Sequence, residues 1–129
     1  MKEYTLIKES ELFNVINEWL PTINQIKKIY LIGDLGSGKT SFVKELAKQI
    51  GIKDKITSPS FNYMKNYNGL VHIDLYNFRG DIDEFEDFFE DNIIAFEWAD
   101  LAKLPYKSYI LINCELNIDN SHTYRIEKF

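Results

Sequence analysis

Eight residues constrain this chain more than any others: Gly33-Asp34-Leu35-Gly36-Ser37-Gly38-Lys39-Thr40. They fit G-x-x-x-x-G-K-[ST], the pattern of a P-loop. The apolar run Ile29-Tyr30-Leu31-Ile32 leads in, and a helical pattern from Ser41 to Ile50 leads away until Gly51 stops it. Strand, glycine loop and helix in that order turn the pattern into a phosphate site. Glycines let backbone N–H groups curl around an anion. The helix N-terminus adds partial positive charge at the same point. Lys39 can reach β- and γ-phosphates, and the Thr40 hydroxyl can hold Mg²⁺. A plain glycine-rich turn would leave the spacing of Lys39 and Thr40 unexplained. The candidate nucleotide contacts are therefore Gly33, Asp34, Leu35, Gly36, Ser37, Gly38, Lys39, Thr40 and Ser41.

A length of 129 residues suits one domain, 1–129, with one core. No apolar stretch is long enough to cross a membrane, and the start, Met1-Lys2-Glu3-Tyr4, lacks an apolar signal-peptide core. A lone cysteine, Cys114, excludes an internal disulfide framework, suits the cytoplasm and reads as a small buried side chain. Formal net charge is −5, a poor basis for gripping nucleic acid without help. Asp81, Asp83, Glu84, Glu86, Asp87, Glu90 and Asp91 run without an intervening base. Two readings stand for this run: a solvated helix face, or a docking surface for a basic partner.

The rest of the chain reads as an α/β domain with a mixed sheet. Tyr4 to Lys8 alternates like a strand. Ser10 is placed to cap a helix that buries Leu12, Phe13, Val15, Ile16, Trp19 and Leu20 and ends at Pro21. A strand from Phe61 to Tyr67 turns at Asn68-Gly69, a strong two-residue hairpin signal, into Leu70 to Tyr76. Gly80 precedes an acidic helix. Ile93 to Phe96 has the unbroken apolar look of a strand covered on both faces. Ser108 to Ile118 and Thr123 to Phe129 form a closing C-terminal β-hairpin.

A P-loop ATPase needs a second acidic group at the end of a neighbouring strand, to hold Mg²⁺ or its waters. Asp74 follows Leu70-Val71-His72-Ile73, and Glu97 follows Ile93-Ile94-Ala95-Phe96. The longer apolar run puts Glu97 on the more central strand, so Glu97 is assigned to the Mg²⁺ waters and Asp74 to Mg²⁺ or the attacking water. The reverse assignment and a pair of ordinary strand-end acids both stay open. Ser58-Pro59-Ser60 is either a γ-phosphate sensor loop, with Ser60 touching phosphate or Mg²⁺, or a proline turn. His72 reads as a core or edge histidine before a catalytic one. Trp98 packs beside the nucleotide, against a partner, or in the core.

The ordered set of motifs resembles the TsaE (YjeE) family of small bacterial P-loop ATPases. It comprises the loop, Ser58-Pro59-Ser60-Phe61, His72-Ile73-Asp74-Leu75-Tyr76 and Glu97-Trp98. The resemblance spans about Ser10 to Trp98. It implies a P-loop NTPase-like domain that binds ATP or ADP with Mg²⁺ and serves threonylcarbamoyladenosine formation in tRNAs reading ANN codons. Its implied partners are TsaB and TsaD homologues, with TsaC or its homologue supplying the threonylcarbamoyl-adenylate and tRNA met mainly through the complex. Lys39, Asp74 and Glu97 become the catalytic residues, Thr40, Asp74 and Glu97 the metal residues, and Trp98 the family's tryptophan. Two positions depart from the family: Ser60 stands for its usual Thr, and Asn77 for its usual Arg.

Rival functions are a small-molecule kinase, a guanine-nucleotide switch and a non-hydrolysing nucleotide-dependent adaptor. Kinases clamp the moving phosphoryl group with several cations, and this chain has only Arg79 and Arg125 beside its lysines. The Asn/Thr-Lys-x-Asp motif that reads guanine is absent from the sequence. The adaptor stays open, because a P-loop speaks for binding and not for turnover.

Overall fold

Alternating and continuous apolar runs along the chain become one twisted sheet in the computed structural model, which describes residues 1–57, 59 and 63–129. The strands are β1 (Lys2–Leu6), β2 (Lys28–Ile32), β3 (Met64–Tyr67), β4 (Leu70–Asp74), β5 (Ile93–Glu97), β6 (Ile110–Leu116) and β7 (His122–Lys128). Their order is β1-β7-β6-β2-β5-β4-β3. The central strands β6, β2, β5 and β4 are mutually parallel. Antiparallel pairs close both sides: β3 on β4, and the β6–β7 hairpin carrying β1 on its outer edge. The Asn68-Gly69 turn pairs Tyr67 with Leu70, as the sequence expects. In open parallel sheets the carboxyl ends of the strands are where ligands bind. The loop after β2, Asp74 and Glu97 all lie at that end.

Two helices, α1 (Leu12–Ile26) and α2 (Lys39–Gln49), share one aliphatic core with the sheet. Ile29 and Leu31 of β2, Ile93 and Ala95 of β5, and Ile110 and Ile112 of β6 meet Ile16, Ile23, Phe42 and Leu46 there. The alternate residues Tyr30, Ile94 and Phe96 form a second core. It is closed by 3-10 turns at Ile82–Phe88 and Ala99–Leu101 and by aromatic rings of the following segment. β5 is buried along its whole length, which explains the apolar run Ile93 to Phe96 that precedes Glu97.

Several expected boundaries move. β1 begins two residues earlier than its alternation suggests. Ser10 does not cap α1; it lies in a 3-10 turn, Glu9–Glu11, where Glu11 reaches back to the Lys8 N–H at 3.2 Å. Pro21 does not end α1 but sits inside it. Its ring is exposed, so the hydrogen bond it cannot make is lost beside water, and Ile23 continues the buried stripe. The helix ends at Lys27, left-handed at φ 66°, whose N–H reaches the Ile23 carbonyl. Phe13 is half exposed and outside the core. The acidic run is not an α-helix. Asp81 caps a 3-10 turn by accepting from the Asp83 N–H, and only Ile82 and Phe85 supply buried anchors.

Candidate functional site

The loop between β2 and α2 gets its shape from two glycines. Gly33 has φ +150°, and a Cβ there would run into the Cys114 carbonyl and the Ser37 side chain. Gly38 has φ +113°, and a Cβ there would strike the Tyr124 hydroxyl. No L-residue fits either position without moving its neighbours. The hairpin holds the loop from behind. Tyr124 donates its hydroxyl to the Gly38 carbonyl at 2.9 Å, and His122 Nδ1 lies 2.9 Å from the Ser37 carbonyl. Neither support is announced by any motif; the only signal is the inward parity of Tyr124 on β7.

Lys39 opens α2 and is almost fully buried. Its ammonium donates to the carbonyls of Gly33 and Asp34 and reaches Ser37 Oγ. The same ammonium sits 4.1 Å from the centre of the Trp98 ring, a cation–π contact worth about 2 kcal/mol when shielded from water. Trp98 presents that ring from a left-handed backbone, φ 58°, which costs a bulky residue of order 1–3 kcal/mol. None of the ion pairs among the described residues involves Lys39. Among the described residues dipoles and a π face hold this buried cation, and such a cation draws an anion.

Parallel pairing brings the acids to the loop. β5 lies between β2 and β4, with Leu31 and Asp74 both opposite Glu97. Glu97 is only 4% exposed. Both of its oxygens accept from the Thr40 hydroxyl, at 3.1 and 3.0 Å. Behind it, His72 is fully buried with Nε2 at 2.5 Å from Glu97 Oε2. Asp74 is half-buried and accepts from the Tyr76 N–H at 3.0 Å.

One cavity of about 460 Å³ gathers these groups: Leu35, Gly36, Gly38 to Ser41, Asp74, Glu97, Trp98 and also His122. Gly33, Asp34 and Ser37 line a separate hollow behind the loop, and the carbonyls of Gly33 and Asp34 serve the site by holding Lys39. Ser60 lies outside the described residues. Arg79 borders a different cavity with Phe78 and Leu101. Asn77 is left-handed at φ 62°, a conformation asparagine tolerates better than most residues. Burial pushes the Cys114 thiol up to about 12, so it stays a protonated core side chain. Among the described residues no helix is long and apolar enough to cross a membrane.

The oxygen donors around Thr40 match a hard divalent cation. Mg²⁺ is usually held by one or two carboxylates together with phosphates and waters rather than by an all-protein cage. Among the described residues no cluster of three histidine, cysteine or acidic side chains could hold a metal alone. A hydroxyl and one or two carboxylates beside a phosphate loop fit that mode.

Known proteins agree with this architecture. Residues 6–126 match the family model described as "Threonylcarbamoyl adenosine biosynthesis protein TsaE". A protein of Aquifex aeolicus named tRNA threonylcarbamoyladenosine biosynthesis protein TsaE is 33% identical over 98% of this chain and 96% of its own. One of the same name from Rickettsia typhi is 30% identical over 97% of this chain and 94% of its own. The crystal structure of YdiB from Bacillus subtilis superposes with a TM-score of 0.61 at 25% identity, covering 95% of this chain and 82% of that one. With its P-loop NTPase-like fold, and with the match running through β2, α2, β4, β5 and the closing hairpin, the chain belongs to the TsaE family.

Proposed function

We propose that this chain is the ATP-binding and ATP-hydrolysing component of tRNA threonylcarbamoyladenosine formation, working with TsaB and TsaD homologues in the cytoplasm. The pathway comes from the family and from the names of its relatives. The chemistry rests on one observation above all: the Thr40 hydroxyl lies against both oxygens of the buried Glu97, next to a buried Lys39. A buried carboxylate against the Thr40 hydroxyl supports a site for the Mg²⁺ that accompanies a nucleotide.

In this reading Lys39 leaves the Gly33 and Asp34 carbonyls to contact the β- and γ-phosphates of ATP. Thr40 and Glu97 would hold Mg²⁺ and its waters, and Asp74 would orient the metal shell or the attacking water. Mg²⁺ held there would supply positive charge against the phosphates. Trp98 walls the γ end, and Ser41 and Ser60 bind phosphate oxygens. Adenine as the base rests on the family resemblance.

Partner dependence follows from a shortage of cations. Lys39 is the one lysine or arginine among the described residues that border the cavity. Arg125 is tied to Glu3 and Glu115, and Arg79 borders another cavity. A second positive group for the developing charge comes from outside, as in trans-activated NTPases. The test is single-turnover hydrolysis of ATP with and without TsaB–TsaD. Slow hydrolysis alone and strong stimulation support the reading. ATP binding with no turnover in either condition makes the chain an adaptor, and fast turnover indifferent to TsaB–TsaD removes partner dependence.

The exposed acids Asp83, Glu84, Glu86 and Asp87 offer that partner a negative docking face. Attraction between exposed charges fades beyond about 8 Å at physiological salt. Neutralising the four together should slow association and flatten its salt dependence. An unchanged rate and salt response would leave the acids a solvated turn.

A further inference from the structure

We infer that His72 is the positioning residue of Glu97, fixing the rotation of its carboxylate for the Thr40 end of the site. The inference rests on the functional reading above. His72 sits on β4 directly opposite Ala95 of β5. Leu70, His72 and Asp74 share the helix-side face of β4, as Ile93, Ala95 and Glu97 share that of β5. The single methyl of Ala95 leaves the imidazole room to lean along the sheet to Glu97, two residues farther on. Diagonal neighbours on paired strands are within reach of such a side chain.

The contact has a direction. An ionised carboxylate can only accept, so Nε2 carries the hydrogen and donates it to Oε2. Oε2 then has two donors, His72 and Thr40, while Oε1 has Thr40 alone among the described residues. Pinning one oxygen stops the carboxylate turning about its own axis and leaves the other available to a metal-bound water. The opposite ring nitrogen argues against a merely structural histidine. Nδ1 is buried with no hydrogen-bond partner among the described residues. An apolar side chain of similar size would fill that space without an orphaned nitrogen, so the position is held for what Nε2 does.

Three variants of the whole chain test this: His72→Gln, His72→Asn and His72→Leu. Glutamine can put an amide N–H where Nε2 lies, asparagine is too short, and leucine donates nothing. Two readouts are needed: the affinity of Mn²⁺ for the ADP complex, followed by electron paramagnetic resonance, and kcat and KM for ATP in the presence of TsaB–TsaD. Loss of the orienting group should weaken Mn²⁺ binding or lower kcat by about 10- to 100-fold in His72→Asn and His72→Leu. KM for ATP should stay near the wild-type value, and His72→Gln should recover most of both losses. Wild-type Mn²⁺ affinity and kcat in folded His72→Leu would overturn the inference. So would folded His72→Gln that is as impaired as His72→Asn. If His72→Leu does not fold, the Gln and Asn pair decides. A wild-type chain that never hydrolyses ATP overturns the functional reading instead, and the Mn²⁺ ranking of the variants still judges His72.

Discussion

The parallel centre of the sheet and its antiparallel wing approach the same loop with different chemistry. From β4 and β5 come side chains that line the site cavity: Asp74, Glu97 and, just beyond the strand, Trp98. From β7 come Tyr124 and His122, whose polar atoms meet loop carbonyls. The centre supplies charge and hydrogen-bonding groups at fixed points. The wing supplies a stiff backing for a segment whose own glycines favour many shapes. A phosphate loop needs both, because donors aimed at an anion act only if they are already in place.

The largest break in this comparison comes from Lys39→Ala at the centre. ATP hydrolysis should fall by about 10²–10³-fold or more, the loss expected when one charge-stabilising donor is removed. ATP and ADP should bind less tightly, and circular dichroism should report an intact fold. Unchanged nucleotide affinity would sink the assignment of the loop. Next come Glu97→Ala and Asp74→Ala, which should each lower kcat far more than they weaken ATP binding, since a group that places metal or water acts on the transition state. Near-normal turnover of both variants, assayed with TsaB–TsaD, would reduce them to strand-end acids.

The wing should answer differently. Tyr124→Phe removes one hydrogen bond to the loop, worth about 1 kcal/mol. The expected signature is several-fold weaker nucleotide binding with kcat near wild type. A loss confined to kcat would mean that the wing takes part in the chemistry and would erase the contrast.

The smallest effect is on alkaline stability. Burial raises the Tyr124 hydroxyl above the ordinary tyrosine range and pushes Tyr30, on β2, up to about 12. Above about pH 10 the unfolded chain loses these protons while the fold keeps them, so stability falls as pH rises. Tyr124→Phe and Tyr30→Phe should each flatten that fall in urea unfolding. An unchanged slope in both would place the alkaline loss elsewhere.

What was legible in the sequence follows the same division. Lys39, Thr40, Glu97 and Asp74, which line one cavity, could be picked out as candidates because the proposed chemistry demands fixed residue types after apolar runs. Placing Glu97 on the more central strand matches the pairing of β5 with β2. Asn68-Gly69 revealed its hairpin because few residues accept that turn. The supports were hidden, because a carbonyl accepts from many donors and any inward tyrosine on β7 resembles a core residue. Pro21 misled because exposure on the solvent side of α1 lets a helix tolerate what the residue forbids in its interior. The acidic run misled because charge alone does not set a period, and its two buried anchors, Ile82 and Phe85, lie three apart, the spacing of a 3-10 turn.

The ammonium of Lys39 beneath the Trp98 indole also gives the molecule an optical property. Indole emission responds to a charge at its face, so the light from Trp98 depends on where Lys39 points. The other tryptophan, Trp19, lies on α1 with its N–H bonded to the Tyr4 hydroxyl at 2.9 Å, away from the loop, and contributes a steady background. A ligand that drew Lys39 toward phosphate should change one emitter more than the other. Label-free emission should therefore report where Lys39 sits against Trp98.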